Sequence, residues 1–201
     1  MADLFYRLFA LFLLILFLPL LFIFYWLIKL TSRGPFIFKQ KRLGKDEKIF
    51  TLYKIRTMID GAEELKDKYR HLNEADGPVF KIRHDPRYTK IGKFLAHTGL
   101  DEIPQLINII KGEISFVGPR PLPVEEGLRV PEIYEKRFSV LPGITSAWIV
   151  KGAHKLTFAQ WMKLDLEYVK NKSFWYDIKI LTSTAILILK LIIYKLLRKD
   201  V

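Results

Sequence analysis

The apolar positions gather at the two ends of the chain. From Leu8 to Ile28 it reads LFALFLLILFLPLLFIFYWLI, with no residue charged at neutral pH. At about 1.5 Å per residue a helix of that run is about 30 Å long, the thickness of a bilayer's hydrocarbon core. No small-x-small cleavage site follows before Lys29 and Arg33, so the run reads as a retained membrane segment and not a signal peptide. Pro19 sits near its middle, where it removes a backbone donor and crowds the preceding turn. Two topologies fit: a kinked helix that crosses the bilayer, or a helix–break–helix that returns to the side it entered. Arg7 on one flank and Lys29, Arg33, Lys39, Lys41 and Arg42 on the other favour the return. They also keep the heavier flank cytoplasmic.

The second apolar stretch, Ile178–Leu197, is interrupted by Lys179, Lys190 and Lys195. On a helix Lys179, Ser183, Lys190 and Tyr194 fall within an arc of about 60°. A polar stripe that narrow suits a helix lying at the bilayer surface; a core helix or a second span are the alternatives. Between the two ends, Ile37–Gln40 and Ile49–Thr57 are rich in β-branched and aromatic residues and flank the polar segment Leu43–Glu47, which predicts a hairpin. Its alternation sets Lys54 and Arg56 on one face. Asp60 and Glu63 have capping-box spacing and predict a helix towards Leu72. Thr157 and Gln160 do the same for a helix through Val169, and Tyr88–His97 reads as a short helix. Pro104, tolerated near a helix start, and Gly112, a natural stop, predict a helix beginning near Leu100.

Composition narrows the chemistry. The 201 residues contain no cysteine, which removes disulfides, thiol catalysis and Cys-ligated metals at once. Basic residues number 33 against 21 acidic, a net charge of +12 that favours anionic partners. Half of that excess lies between Thr31 and Thr57, where eight basic residues face only Asp46 and Glu47. Beside a membrane segment such a patch holds anionic lipid, at about 1 kcal/mol per residue. No RNA or DNA module accompanies the charge, so no nucleic-acid partner is expected. His71, His84, His97 and His154 are scattered without metal-ligand spacing. No glycine-rich phosphate loop or Ser/His/Asp signature is present.

Two segments carry candidate chemistry. In Thr98-Gly-Leu-Asp-Glu-Ile-Pro-Gln-Leu106, Asp101 and Glu102 fall in the first turn of the expected helix. Dipole compensation, worth about 0.3–1 kcal/mol each, accounts for them by itself. Neighbours on a helix point about 100° apart, so they do not form a shared-proton dyad; they can divide labour as nucleophile and metal ligand. In Phe116-Val-Gly-Pro-Arg-Pro121, prolines on both sides stiffen the backbone around Arg120. A guanidinium displayed this way suits a bidentate grip on phosphate, against the plainer reading of a Pro-rich surface turn.

Taken together, the Pro-broken N-terminal helix, Lys54-Ile-Arg56-Thr-Met58, Leu100-Asp-Glu-Ile-Pro-Gln-Leu106, Gly118-Pro-Arg-Pro121 and Pro142-Gly-Ile-Thr145 resemble the bacterial sugar transferases, the monotopic phosphoglycosyl transferases. The resemblance extends to about Leu181. Asp76-Gly-Pro-Val-Phe-Lys-Ile-Arg-His-Asp-Pro86 is further similar to the catalytic domains of undecaprenyl-phosphate hexose-phosphate transferases. The resemblance implies transfer of a sugar-1-phosphate from a UDP-sugar to polyprenyl (undecaprenyl) phosphate with release of UMP. It implies Asp101 as nucleophile, Glu102 as a holder of Mg²⁺, and Lys54, Arg56 and Arg120 on phosphate oxygens. Asp165 matches another acidic position of the family and is taken as substrate-binding.

The resemblance also implies a re-entrant N-terminal helix and a place on the cytoplasmic face of the bacterial inner membrane. The expected fold is therefore α/β and helix-dominated: a membrane-inserted segment over 1–30, a cytoplasmic catalytic domain with a small β-hairpin over 31–177, and an interfacial amphipathic helix over 178–201. The chain departs from the family at Ala96 and His97, where basic residues are common, and at Gly99, usually Ser. It departs again at Ala153, where an arginine is usual; Lys151, His154 and Lys155 are the basic groups nearby. An inactive membrane scaffold of the same fold is the alternative these departures raise.

Overall fold

The structure, a computed structural model, describes residues 2–197; of 2, 3, 154, 192 and 194–197 only the backbone is described. Residues 198–201 of the expected C-terminal segment, and the side chains of Tyr194 and Lys195, lie outside the described residues.

Helix α1 (Ala2–Thr31) runs on through Pro19. Pro19 leaves the Ile15 carbonyl without its intrahelical donor, and packing on either side holds the helix across that gap. Ala10, with Leu13, Leu14 and Phe17 beside it, sits against Phe50, Leu52, Leu106, Ile109 and Ile114. Phe24 and Ile28, flanked by Leu20 and Leu21, sit against Ile55 and Leu95. Burying a large apolar side chain such as these contributes about 1.5–3 kcal/mol. The opposite face, from Leu4 through Phe12, Leu16 and Ile23 to Leu30, is exposed. The helix is thus apolar all round, while protein covers only one stripe of it.

Strands β1 (Ile37–Leu43) and β2 (Ile49–Ile55) form the expected antiparallel hairpin, in register from Ile37 opposite Ile55 to Leu43 opposite Ile49. The helix expected from Asp60 is absent. Residues 60–69 are a succession of turns closed by a 3-10 turn at Arg70–Leu72. Glu63 accepts a hydrogen bond from Gln40 Nε2 at 3.3 Å, and Gly61 takes a left-handed φ of 71° that breaks helical continuation.

Helix α2 (Lys90–Thr98) is capped by Thr89, whose hydroxyl accepts from the Gly92 amide at 2.9 Å, and ends at Gly99 with φ 73°. The next segment, expected as the start of an α-helix, opens as a 3-10 turn over Leu100–Gln105. Only after Pro104, which has no N–H to donate, does α3 (Leu106–Lys111) begin; it stops at Gly112 in the left-handed region. Strands β3 (Ser115–Val117) and β4 (Gly143–Thr145) pair in parallel, Ser115 beside Gly143 and Val117 beside Thr145. A Cβ on Gly118 or Gly143 would overlap the other segment's backbone, so both positions need glycine for this approach. The close pairing brings the Gly118-Pro-Arg-Pro and Pro142-Gly-Ile-Thr segments side by side.

Short helices α4 (Val124–Gly127) and α5 (Ala147–Val150) lead to α6 (Phe158–Asn171), whose capping box of Thr157 and Gln160 forms in full. The largest core cluster joins α5 and α6 to β3 through Trp148, Trp161, Met162, Tyr168 and Val117. Helix α7 (Phe174–Leu197) docks on it by Ile180, by a Tyr168 hydroxyl that donates to Asp177 at 2.8 Å, and by Thr184, whose Oγ1 lies 2.7 Å from that of Thr145. Phe174, Trp175, Ile186 and Leu189 on α7 stay exposed. The whole is a helix-rich α/β architecture with one long apolar N-terminal helix and two small sheets.

Candidate active site

The carboxylates of the 3-10 turn meet the cations of β2 and of the loop after β3. Lys54 Nζ lies 2.8 Å from Glu102 Oε1 and 3.7 Å from Asp101 Oδ2. Arg120 reaches the same Glu102 oxygen with Nη1 and Nη2, each at 3.3 Å. Both carboxylates are largely withdrawn from water, Asp101 at 6% exposure. Beside them Arg42, Leu52, Lys54, Glu102, Gln105, Arg120, Pro121 and Gly143 enclose a cavity of about 10 Å³, room for about one water. The apposed charges therefore fill the space that a substrate anion would enter.

The surroundings divide two adjacent carboxylates. Burial pushes Asp101 up to about 6, with Lys54 pulling it back and the Glu102 charge adding to the rise. Burial acts on Glu102 in the same sense, but Lys54 and Arg120 together outweigh it and hold that carboxyl down at about 2. Glu102 is tied by two cations; Asp101 is the more basic of the two and is bonded to neither as closely. A carboxylate in that condition is the better nucleophile of the two.

Of the residues singled out in the sequence, Lys54, Asp101, Glu102 and Arg120 come together, whereas Arg56 and Asp165 do not join them. Arg56 is buried at the end of α1, where it donates to the Ser32 carbonyl at 3.1 Å, the Ser32 hydroxyl at 2.9 Å and the Arg33 carbonyl. A cation there complements the negative end of the helix; both Nη groups are engaged, and the buried Nε has no partner among the described residues. Asp165 is buried on α6. Its Oδ2 accepts from Arg137 Nε at 3.1 Å and Nη2 at 2.9 Å, and the same Nη2 donates to the Arg120 carbonyl at 2.8 Å. Asp165 thus acts on the site through Arg137, by fixing the backbone that presents Arg120.

Three contributors had escaped the sequence reading. Arg137 belongs to none of the segments singled out there. Arg42, read only as a membrane-flanking charge, lines the cavity, donates to the Pro121 carbonyl at 2.9 Å and leaves a buried Nε without a partner. Burial and then Arg120 bring its guanidinium down to about 10. Trp148, on α5 just after the Pro142–Thr145 segment, stacks on Trp161 at 4.5 Å and has the Arg120 guanidinium 5.9 Å from its ring centre. In place of the family's usual arginine, Ala153 has φ 36° in a 3-10 turn, Lys151 pairs with Glu167 at 3.8 Å, and the His154 side chain lies outside the described residues.

Comparison with known proteins places this geometry in context. The family model described as bacterial sugar transferase matches residues 1–191. Galactosyl transferase CpsE of Streptococcus agalactiae is 42% identical over 157 residues, 78% of this chain and 35% of that protein. Undecaprenyl-phosphate galactose phosphotransferase of Salmonella typhimurium is 35% identical over 178 residues, 85% of this chain and 37% of that protein. UDP-glucose:undecaprenyl-phosphate glucose-1-phosphate transferase of Escherichia coli is 37% identical over 166 residues, 79% of this chain and 33% of that protein. The chain spans about a third of the length of these curated relatives.

Proposed function

The chain belongs to the bacterial sugar transferase family, and from that premise we propose that it moves a sugar-1-phosphate from a UDP-sugar to polyprenyl phosphate through a covalent phosphosugar-aspartate. The names of the relatives supply the substrate class: a UDP-hexose in one, undecaprenyl phosphate in two. One observation carries the mechanism, the division of the carboxylates in which Lys54 and Arg120 hold Glu102 and leave Asp101 the more basic.

An Asp101 carboxylate oxygen attacks the sugar-bearing phosphorus. The bridging P–O bond breaks, its electron pair stays on the departing oxygen, and UMP leaves. A phosphate oxygen of the polyprenyl acceptor then attacks the same phosphorus, freeing Asp101 and giving a polyprenyl diphosphate sugar. Such a product serves polysaccharide or glycoconjugate synthesis as its first membrane-bound intermediate. Lys54 and Arg120 turn from Glu102 to the donor's phosphate oxygens, which lowers the repulsion between an anionic nucleophile and its anionic target.

Among the described residues no three acidic or histidine side chains converge into a metal cage. Mg²⁺ is commonly held by one or two carboxylates plus substrate phosphates, and Glu102 fits that pattern: both its cations lie on Oε1. When bound, the ion neutralises diphosphate charge.

The membrane reading follows the same chemistry. Packing along α1 and the exposed apolar residues of α7 support a re-entrant or in-plane insertion from one side, with α7 at the interface. We take that side as the cytoplasmic face of the inner membrane, where the basic patch from Thr31 to Thr57 meets anionic lipid head groups.

The test is intact mass measurement of the lipid-reconstituted chain after incubation with Mg²⁺ and a panel of UDP-sugars, without acceptor. A sugar-phosphate adduct is expected on the wild type and on no Asp101→Asn protein; EDTA present from the start prevents its formation and added Mg²⁺ restores it. Glu102→Gln is expected to slow adduct formation on the order of a hundredfold, the scale of losing one electrostatic stabiliser. Full turnover by Asp101→Asn overturns the nucleophile assignment.

A further inference from the structure

The motif running from Asp76 to Pro86 has no part in the mechanism above, yet the structure builds it into a fixed device. Asn73 ties the loop shut. Its side-chain amide donates to the Ala75 and Val79 carbonyls at 3.1 and 3.2 Å, and its Oδ1 accepts the Lys81 amide at 2.7 Å. Asp76 anchors the other end by accepting from the Phe158 amide at 2.7 Å, at the start of α6. The loop so held sets Lys81 Nζ 4.6 Å from the centre of the Trp148 ring. Trp161 covers one face of that ring at 4.5 Å. Two cations, Lys81 and Arg120, thus approach the same ring.

The two like charges repel, and no ion pair among the described residues ties Lys81. The carboxylate that opposes this, Glu74, has its Oε1 accepting from the Arg83 amide at 3.0 Å. Burial first, then Arg120, bring the Lys81 ammonium down to about 8. The buried Trp148 Nε1 also donates to no described acceptor. Lys81 and the Trp148 N–H thus have no described acceptor, beside an Arg120 whose acceptor is Glu102, and an anion meets that need. Order along the site identifies which anion. Lys54 touches both carboxylates, Arg120 touches Glu102 and Trp148, and Lys81 touches only Trp148. A diphosphate laid along that line has one phosphorus at Asp101 and the other beyond Arg120.

We propose that Lys81 is a binding residue for the nucleotide-side phosphate of the donor: with Arg120, over Trp148, it grips the phosphate that departs as the nucleoside monophosphate. This rests on the transferase reading above. As the bridging P–O bond breaks, the departing phosphate gains negative charge, and a cation held on the far side of Arg120 favours that change.

The experiment measures binding of UMP, UDP-glucose and uridine to the reconstituted full chain by calorimetry, with Lys81→Met and Lys81→Arg as variants. Met keeps the apolar stem over Trp148 and removes the charge; Arg keeps both. Lys81→Met is expected to weaken UMP at least tenfold, the usual loss for one charge-assisted hydrogen bond. Lys81→Arg is expected to stay within about threefold of the wild type, and uridine to bind all three alike. UMP binding by Lys81→Met equal to the wild type overturns the proposal while leaving the transferase reading standing. So does an equal loss in both variants accompanied by a lowered Tm, the mark of a structural role. A wild type that binds neither UMP nor UDP-glucose overturns the transferase reading, and this assignment with it.

Discussion

Asp101 and Glu102 differ by one chain position, and the neighbours they meet come from elements far away in the sequence. Lys54 and Arg120 approach from opposite directions in the chain and select Glu102. The same logic governs the support of Arg120, where a fully buried ion pair of Arg137 and Asp165 carries the contact to its carbonyl. Removing one partner of such a pair strands a charge in a poor dielectric, at about 3–5 kcal/mol. Asp165→Asn is therefore expected to lower stability by about that amount in chemical denaturation, and the paired replacement Arg137→Met with Asp165→Leu to cost clearly less. A cost for Asp165→Asn below about 1 kcal/mol would remove the pair from any supporting role. Asp101, Glu102 and Arg120 were readable in the sequence because each sits in a short segment whose prolines and spacing already imply local rigidity. Arg137 was not, because its meaning lies in an acid 28 positions on and a carbonyl 17 positions back.

Elements repeat this at larger scale. Thr157 and Gln160 form both halves of a capping box and a helix follows; Asp60 and Glu63 have the same spacing, and none does. The difference is tertiary: Glu63 is engaged by Gln40 across the hairpin. Spacing offers a cap, and the rest of the fold decides whether it is used. Glycines separate in the same way. On α2, a Cβ at Gly92 would overlap the Thr57 backbone, which cannot swing aside as a side chain would. At Gly99 a Cβ would meet nothing within 4 Å, and only the positive φ of 73° opposes a larger residue. Gly92→Ala is expected to cost on the order of 3 kcal/mol through overpacking, and Gly99→Ala about 1 kcal/mol through backbone strain. Thermal melts of the two variants check the order; the reverse order would mean that α2 does not seat against the end of β2 as described.

For the molecule as a whole, the open question was how a 30-residue apolar helix meets the bilayer, and composition left two answers standing. The contacts at its ends bear on the choice. Near its start, the Arg7 guanidinium lies against Gly112 at the C-terminal end of α3, where helix carbonyls favour a cation, and Phe9 meets Phe116 at 5.6 Å. At its finish, Arg56 holds the Ser32 and Arg33 carbonyls. Both ends are thus bound to one globular body, along a helix about 45 Å long. A bilayer-crossing arrangement breaks the contacts at one end, including the packing of Ala10 on Leu106 and Ile109, and leaves Arg7 without that partner. Same-side insertion keeps every one of them and exposes the Leu4-to-Leu30 face to lipid. The absence of cysteine makes the choice measurable, since a single introduced thiol is the only one present. With cysteine at Asp3 in one variant and at exposed Lys172 in another, a membrane-impermeant maleimide is expected to label both in inverted inner-membrane vesicles and neither in intact spheroplasts. Labelling of the Asp3→Cys protein from the outside alone would establish a spanning helix and dissolve the α1–α3 packing on which the same-side arrangement depends.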